Sequence, residues 1–150
     1  MKSVYDFVVT PKGERYNNTK QLDGGELILN TEIFNHEFVN REATVTATPL
    51  VGHADIRAGD TVLVHHNVFR RWHNVKGIEK NSRSYFDDTT YFIAPDQIFL
   101  YKRDGQWICP KGYCFVMPLK AVDQFNTESE KPLQGIVKFS DGTVEVNDLV

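Results

Sequence analysis

The chain has 150 residues, enough for one domain or a domain with a small appendage, and its 41% hydrophobic and 25% charged residues are the balance of an ordinary globular protein. A formal net charge of −3 provides no overall field to attract nucleic acid or an acidic membrane surface, and no apolar run approaches the roughly 20 residues of a membrane span. Met1 to Phe7 contains no apolar leader region and two cysteines make no disulfide framework, so a reducing, cytoplasmic setting is the expectation.

Taken in chain order, the local signals are nearly all β. Val4 to Thr10 is apolar and β-branched, and Pro11 stops it. Pro11 to Glu42 then separates the strand-like segments Tyr5 to Thr10 and Ala43 to Thr48. A connection this long far exceeds the usual loop, so it is read as functional, or as disordered until it binds something. Its first half is polar, with Asn17, Asn18, Thr19, Lys20 and Gln21. Gly24-Gly25 frees the backbone, and the aliphatic cluster Leu27, Ile28, Leu29 follows. A polar loop cannot bury such a cluster locally, which leaves it for a partner. The plainer alternative is a short core strand of an ordinary barrel.

Glu42 to Thr48 alternates, with Ala43, Val45 and Ala47 on one face and threonines on the other. The turn Arg57-Ala58-Gly59-Asp60 starts a strand from Thr61 to His65. Ser84 to Phe86 and Thr90 to Ile93 flank an Asp87-Asp88 turn, and Gln97 to Lys102 forms another strand. Gln106 to Cys109 and Tyr113 to Met117 are joined by Pro110-Lys111-Gly112, and Gly135 to Phe139 and Thr143 to Val146 flank Ser140-Asp141-Gly142, a hairpin signal. No window carries a capped helical period. Many short strands separated by turns indicate an all-β fold, a small barrel or sandwich. The polar stretch Asp123 to Pro132 reads as a second long loop or a linker to a C-terminal hairpin.

This order of features resembles that of a known family. Tyr5 to Thr10 is followed by Gly24-Gly25-Glu26-Leu27-Ile28-Leu29, then Glu42-Ala43-Thr44-Val45, then Ile56-Arg57-Ala58-Gly59-Asp60-Thr61-Val62, then Tyr91 to Phe99. Over roughly residues 4–102 it is similar to the GroES-type co-chaperonins, in which a strand leads into a long mobile loop carrying a Gly-Gly and three aliphatics, and a Gly-Asp-x-Val turn comes later. The resemblance implies a partly open GroES-like β-barrel over 1–102 with a mobile loop at 11–42, and extra C-terminal β-hairpins over 103–150. It further implies a ring, commonly of seven subunits, whose loops dock into a GroEL-type chaperonin and close a chamber around an unfolded client. The partner hydrolyses the ATP, so no cofactor and no catalytic residue are expected. The docking residues implied are Gly24, Gly25, Glu26, Leu27, Ile28 and Leu29. Three departures stand out: Glu26 falls where the first apolar contact belongs, Pro49 to Asp55 leaves little room for a roof hairpin, and Asn67 to Ser84 is longer than expected. Such a divergent, extended version suits a phage-encoded member acting in a host cytoplasm.

Other constellations were weighed beside it. Arg70, Arg71, Trp72 and Lys76, with Lys80 and Arg83 nearby, form a local basic patch among aromatics, which on a small barrel suggests single-stranded nucleic-acid binding. The overall acidity opposes that reading. A virion structural or decoration protein is a third. His65, His66 and His73 lack a further ligand at metal spacing, and neighbouring histidines on a strand point to opposite sides. Cys109 and Cys114 read as buried free thiols, and no nucleophile elbow, phosphate loop or zincin motif points to an enzyme.

Overall fold

The structure, a computed structural model, describes residues 1–28, 33, 35–52, 55–120 and 130–150. It is all-β, and among the described residues the only helical pieces are two short 3-10 turns, His36–Phe38 and Pro95–Gln97. The chain divides into two compact units, Met1–Tyr101 and Lys102–Val150.

In the first unit the strands are β1 (Phe7–Pro11), β2 (Thr19–Leu22), β3 (Gly25–Ile28), β4 (Glu42–Ala47), β5 (Thr61–Val64), β6 (Arg71–His73), β7 (Glu79–Asn81), β8 (Tyr85–Asp87), β9 (Thr90–Ile93) and β10 (Ile98–Arg103), the last running on past the boundary. The main sheet of this unit has the order β10-β5-β4-β1-β9-β8. β1 is central because it is apolar on both sides: Phe7, Val8 and Val9 are all buried, between antiparallel β4 and β9. Pro11, expected to end the strand before itself, is its last residue and lies opposite Ala43. A proline is tolerated at a strand end, where a missing N–H removes no ladder bond.

On β4 the alternation buries Ala43 and Val45, and these meet Phe7, Val9, Val62, Val64, Phe69, Tyr91, Ile93 and Ile98 in one core. Each fully buried Val, Ile or Phe contributes about 1.5–3 kcal/mol. The Phe69 and Tyr91 rings meet edge to face at 4.7 Å. The turn before β5 is held by its own side chain: Arg57 N–H donates to Asp60 Oδ2 at 2.8 Å, and Gly59 takes φ 95°, which glycine adopts without strain.

Two pairs of strands were not legible as such. The polar segment Thr19–Leu22, expected as coil, pairs with Gly25–Ile28, and the long region 67–84 holds the hairpin β6–β7.

The second unit contains β11 (Gln106–Ile108), β12 (Cys114–Lys120) and β13 (Glu130–Ser140), with β12 and β13 antiparallel. Residues 121–129 of the expected linker lie outside the described residues, and 130–132 already belong to β13. The expected strand Thr143 to Val146 is absent. Asp141 instead accepts hydrogen bonds from Thr143 N, Thr143 Oγ1 and Gly112 N, and Ser140 Oγ accepts from Gly142 N, so the donors a tight hairpin needs are taken by side chains. These donors hold the Asp141 carboxyl down at about 2. The chain returns along β13 only later, where Gly135 and Val150 exchange backbone hydrogen bonds of 2.9 and 3.0 Å. Both cysteines are free, but only Cys109 is buried, and burial pushes its thiol pKa up. Cys114, expected inside, is exposed.

Gly135 lies opposite Pro118 on β12, and a Cβ there would run into Val116 Cγ1 and come 2.8 Å from the Met117 carbonyl oxygen. Gly135→Ala is therefore expected to destabilise the second unit by about 1–3 kcal/mol, the usual cost of overpacking. Denaturant unfolding followed through Trp107, with Trp72 as the reporter of the first unit, checks this.

Candidate functional site

β1 and β4 lie side by side, so the long connection between them leaves and returns at one place. Four hydrogen bonds from one residue close it there. Asn40 is 3% exposed. Its Nδ2 donates to the carbonyls of Lys12 and Glu14 at 3.0 and 2.9 Å, and its Oδ1 accepts from Glu42 N at 2.9 Å. Its own N–H reaches Arg15 O at 2.9 Å. Lys12 and Glu42 add an ion pair at 3.3 Å, but both side chains are half exposed and it contributes little.

Arg15 and Tyr16 extend the closure outward. Arg15 Nε and Nη2 donate to Phe69 O at 3.3 and 3.1 Å, its Nη1 donates to Asn81 Oδ1 at 2.9 Å, and its guanidinium lies 5.3 Å from the Tyr85 ring and 5.7 Å from that of Tyr91. The Tyr16 hydroxyl accepts from Arg71 N at 2.8 Å and donates to Ile33 O at 2.9 Å. Tyr16 bridges Val39, and Asn17 N donates to Phe38 O at 2.7 Å. The tyrosine beneath Arg15 is sealed: Tyr91 is wholly buried, its hydroxyl has no partner among the described residues, and burial pushes its pKa up to about 12.

Beyond this root stands the β2–β3 hairpin, in the register Thr19↔Ile28 to Leu22↔Gly25. Asp23 and Gly24 make its two-residue turn, with Gly24 at φ 108°. Gly25 opens β3 and Glu26 lies opposite Gln21. Leu27 and Ile28 follow, 47% and 60% exposed, and Leu22 on β2 is 52% exposed. The core-strand reading of this cluster is thus half right for Leu27 and Ile28, which are in a strand but not in a core. Leu29 lies outside the described residues.

The basic patch is split by strand alternation. Arg70 and Trp72 line one groove of about 580 Å³ together with Arg83. Arg71 faces away, with its Nη1 3.1 Å from Glu79 Oε1 and its guanidinium 5.1 Å from the Tyr16 ring. Lys76 sits in the β6–β7 turn, where its N–H donates to Asn74 Oδ1 at 2.9 Å. The structure therefore joins Arg70 with Trp72 and separates both from Arg71 and Lys76.

The histidines differ from the expected strand alternation. β5 ends at Val64, so His65 and His66 do not alternate along a strand, and their rings lie 4.2 Å apart. His36, distant in the chain, brings a third ring to 5.3 Å from His66. His65 Nδ1 accepts from Asn67 N at 3.1 Å. His73 lies apart from them on β6, opposite Glu79. Among the described residues no three His, Cys, Asp or Glu side chains are arranged to hold a metal ion. Asp87 and Asp88 are engaged in the β8–β9 turn, accepting from Thr89 and from the Tyr85 hydroxyl respectively. Asn40, Arg15 and Tyr16 carried no sequence signal, because apart from the Asn40–Glu42 bond the side-chain partners lie 17 to 66 residues away.

Two outcomes follow from this geometry. Asn40→Ala leaves the Glu42 N–H and two carbonyls without their partner and should cost about 1–3 kcal/mol, with faster amide exchange at Glu42 as the local readout. His66 has its pKa lowered, first by burial and then by the positive potential of His65, His36, Arg41 and Arg70. The unfolded chain then binds a proton more readily than the folded one below the ordinary value of 6.5. Stability should be flat above that value and fall as the pH drops from it through the lowered folded pKa, and His66→Gln should flatten that fall in thermal midpoints measured across the range. No family model, curated protein or solved structure matches the chain.

Proposed function

We propose that this chain is the subunit of a co-chaperonin ring that caps a GroEL-type chaperonin by docking its β2–β3 hairpins. One observation carries the reading: Leu27 and Ile28 stand exposed on a hairpin whose root is fixed by buried hydrogen bonds. A two-stranded hairpin gains little stability alone, so exposed aliphatics there do nothing for the fold. They are available to an apolar groove on a partner. The order of strands, glycines and turn that resembles GroES-type proteins supports the identity of that partner.

The magnitudes favour a multivalent cap. With about half of each side chain still to be buried, Leu22, Leu27 and Ile28 offer about 1 kcal/mol each on docking. The total of about 3 kcal/mol falls short even of a millimolar affinity. The paired backbone lowers the ordering cost of docking relative to a coil, but a single hairpin still binds weakly. Several hairpins on one ring act at high effective concentration and bind together. They are released together when the partner changes shape. The cap needs no nucleotide of its own for this, since the partner hydrolyses ATP.

Native mass measured alone and with a GroEL-type double ring tests the reading. A ring of about seven subunits that joins the double ring only with ATP is the expected result. Leu27→Asp with Ile28→Asp should abolish the joining and leave thermal stability within about 0.5 kcal/mol, as surface substitutions do. A monomer that ignores the double ring, or a variant that unfolds, would sink the proposal.

A further inference from the structure

The groove beside β6 carries an inference of its own, independent of capping. Arg70 and Arg83 both line it, and among the described residues no carboxylate does. Among the described residues neither guanidinium has an ion-pair or hydrogen-bond partner. Arg70 Nε is in addition screened from water, so a donor is held dry without an acceptor. Such an arrangement is costly unless an anion completes it. The two guanidiniums offer planar, bidentate forks suited to phosphate.

Trp72 shares the groove and remains 37% exposed, which leaves its indole open to a planar ring. Asn67 adds an amide to the same wall, and Ser82 a hydroxyl that already donates to the Val68 carbonyl. The volume of about 580 Å³ is that of a small-ligand site. The acidity of the whole chain bears little on it, because the two arginines that line the groove set its local potential.

We propose that the Arg70–Trp72–Arg83 groove binds a nucleotide unit, with the base stacked on Trp72 and the phosphate held between the two arginines. The unit is either a free mononucleotide or one position of a single strand, which share this chemistry.

The chain has two tryptophans, so Trp107→Phe leaves Trp72 as the sole emitter. In that background, emission is titrated with uridine 5′-monophosphate, uridine, inorganic phosphate and an oligothymidylate of about ten residues. Saturable quenching by the monophosphate or the oligomer is expected, with uridine and phosphate each weaker by about tenfold or more, the loss of one charged fork or one stacked ring. Arg83→Gln, at an exposed position, should weaken binding about tenfold, and Arg70→Gln likewise. Arg71→Gln, on the opposite side with Glu79, should leave it within about twofold. An oligomer that binds more tightly than the monophosphate, with an affinity falling steeply in salt, identifies a strand as the source. Equal affinities identify the free nucleotide. The proposal is overturned by no saturable quenching with either ligand, by phosphate binding as tightly as the monophosphate, or by Arg83→Gln and Arg70→Gln variants that bind like the parent.

Discussion

Closure of the long connection by Asn40 is the constraint on which the rest of the first unit depends. An amide side chain has two donors and an acceptor, and a buried one must satisfy them. Asn40 does so entirely on the backbone at the start and end of the excursion, on Lys12, Glu14 and Glu42. Arg15 and Tyr16 then carry the closure out to Asn17 and Phe38. The loop that remains is shorter than the sequence distance between β1 and β4, and the entropy of ordering it is smaller. The core side of this arrangement is costly in one place: Tyr91 keeps a buried hydroxyl beneath Arg15 without a partner among the described residues. The edge-to-face contacts of its ring with Phe69 and Tyr85, and the apolar area it buries, offset that loss.

The same anchors serve two hairpins. Tyr16 belongs to the root of β2–β3, yet its hydroxyl receives the backbone N–H of Arg71 at the start of β6. Arg15 reaches Asn81 at the end of β7. Both hairpins are therefore held at their bases by polar contacts with side chains from the start of the excursion, and neither relies on a core of its own. Small hairpins gain order in this way when they cannot bury enough surface to fold alone. What they leave free differs in kind: aliphatic carbon on β3, and guanidinium and indole beside β6.

The main sheet was legible in the residues because burial writes a period into them. β4, β5, β9 and β10 show it in Ala43 and Val45, Val62 and Val64, Tyr91 and Ile93, Ile98 and Leu100. The two hairpins were not legible, since strands exposed on both faces carry no such period. Thr19–Leu22 read as polar coil, and Gly24-Gly25 read as backbone freedom where Asp23-Gly24 is the turn. Ser140-Asp141-Gly142 failed in the opposite direction: the turn residues are there, but Asp141 spends its carboxylate on local donors and the chain bends away from the ladder. The anchors were invisible for a third reason, that a lone Asn or Arg with distant partners leaves no local pattern.

The basic patch shows how alternation alters what composition suggests. Arg70, Arg71 and Trp72 are adjacent in sequence and read as one cluster of like character. On a strand, adjacent side chains point to opposite faces, so the middle residue must leave the other two. Arg71 goes to the side where Glu79 neutralises it and Tyr16 supports its guanidinium. Arg70 is left with Trp72 on the side where Arg83 also lines the groove and, among the described residues, no carboxylate does. A patch that would be an ordinary solvated face if kept together thus becomes one ion pair and one cationic groove. The period of the strand, rather than the number of arginines, concentrates positive potential in a chain whose net charge is negative.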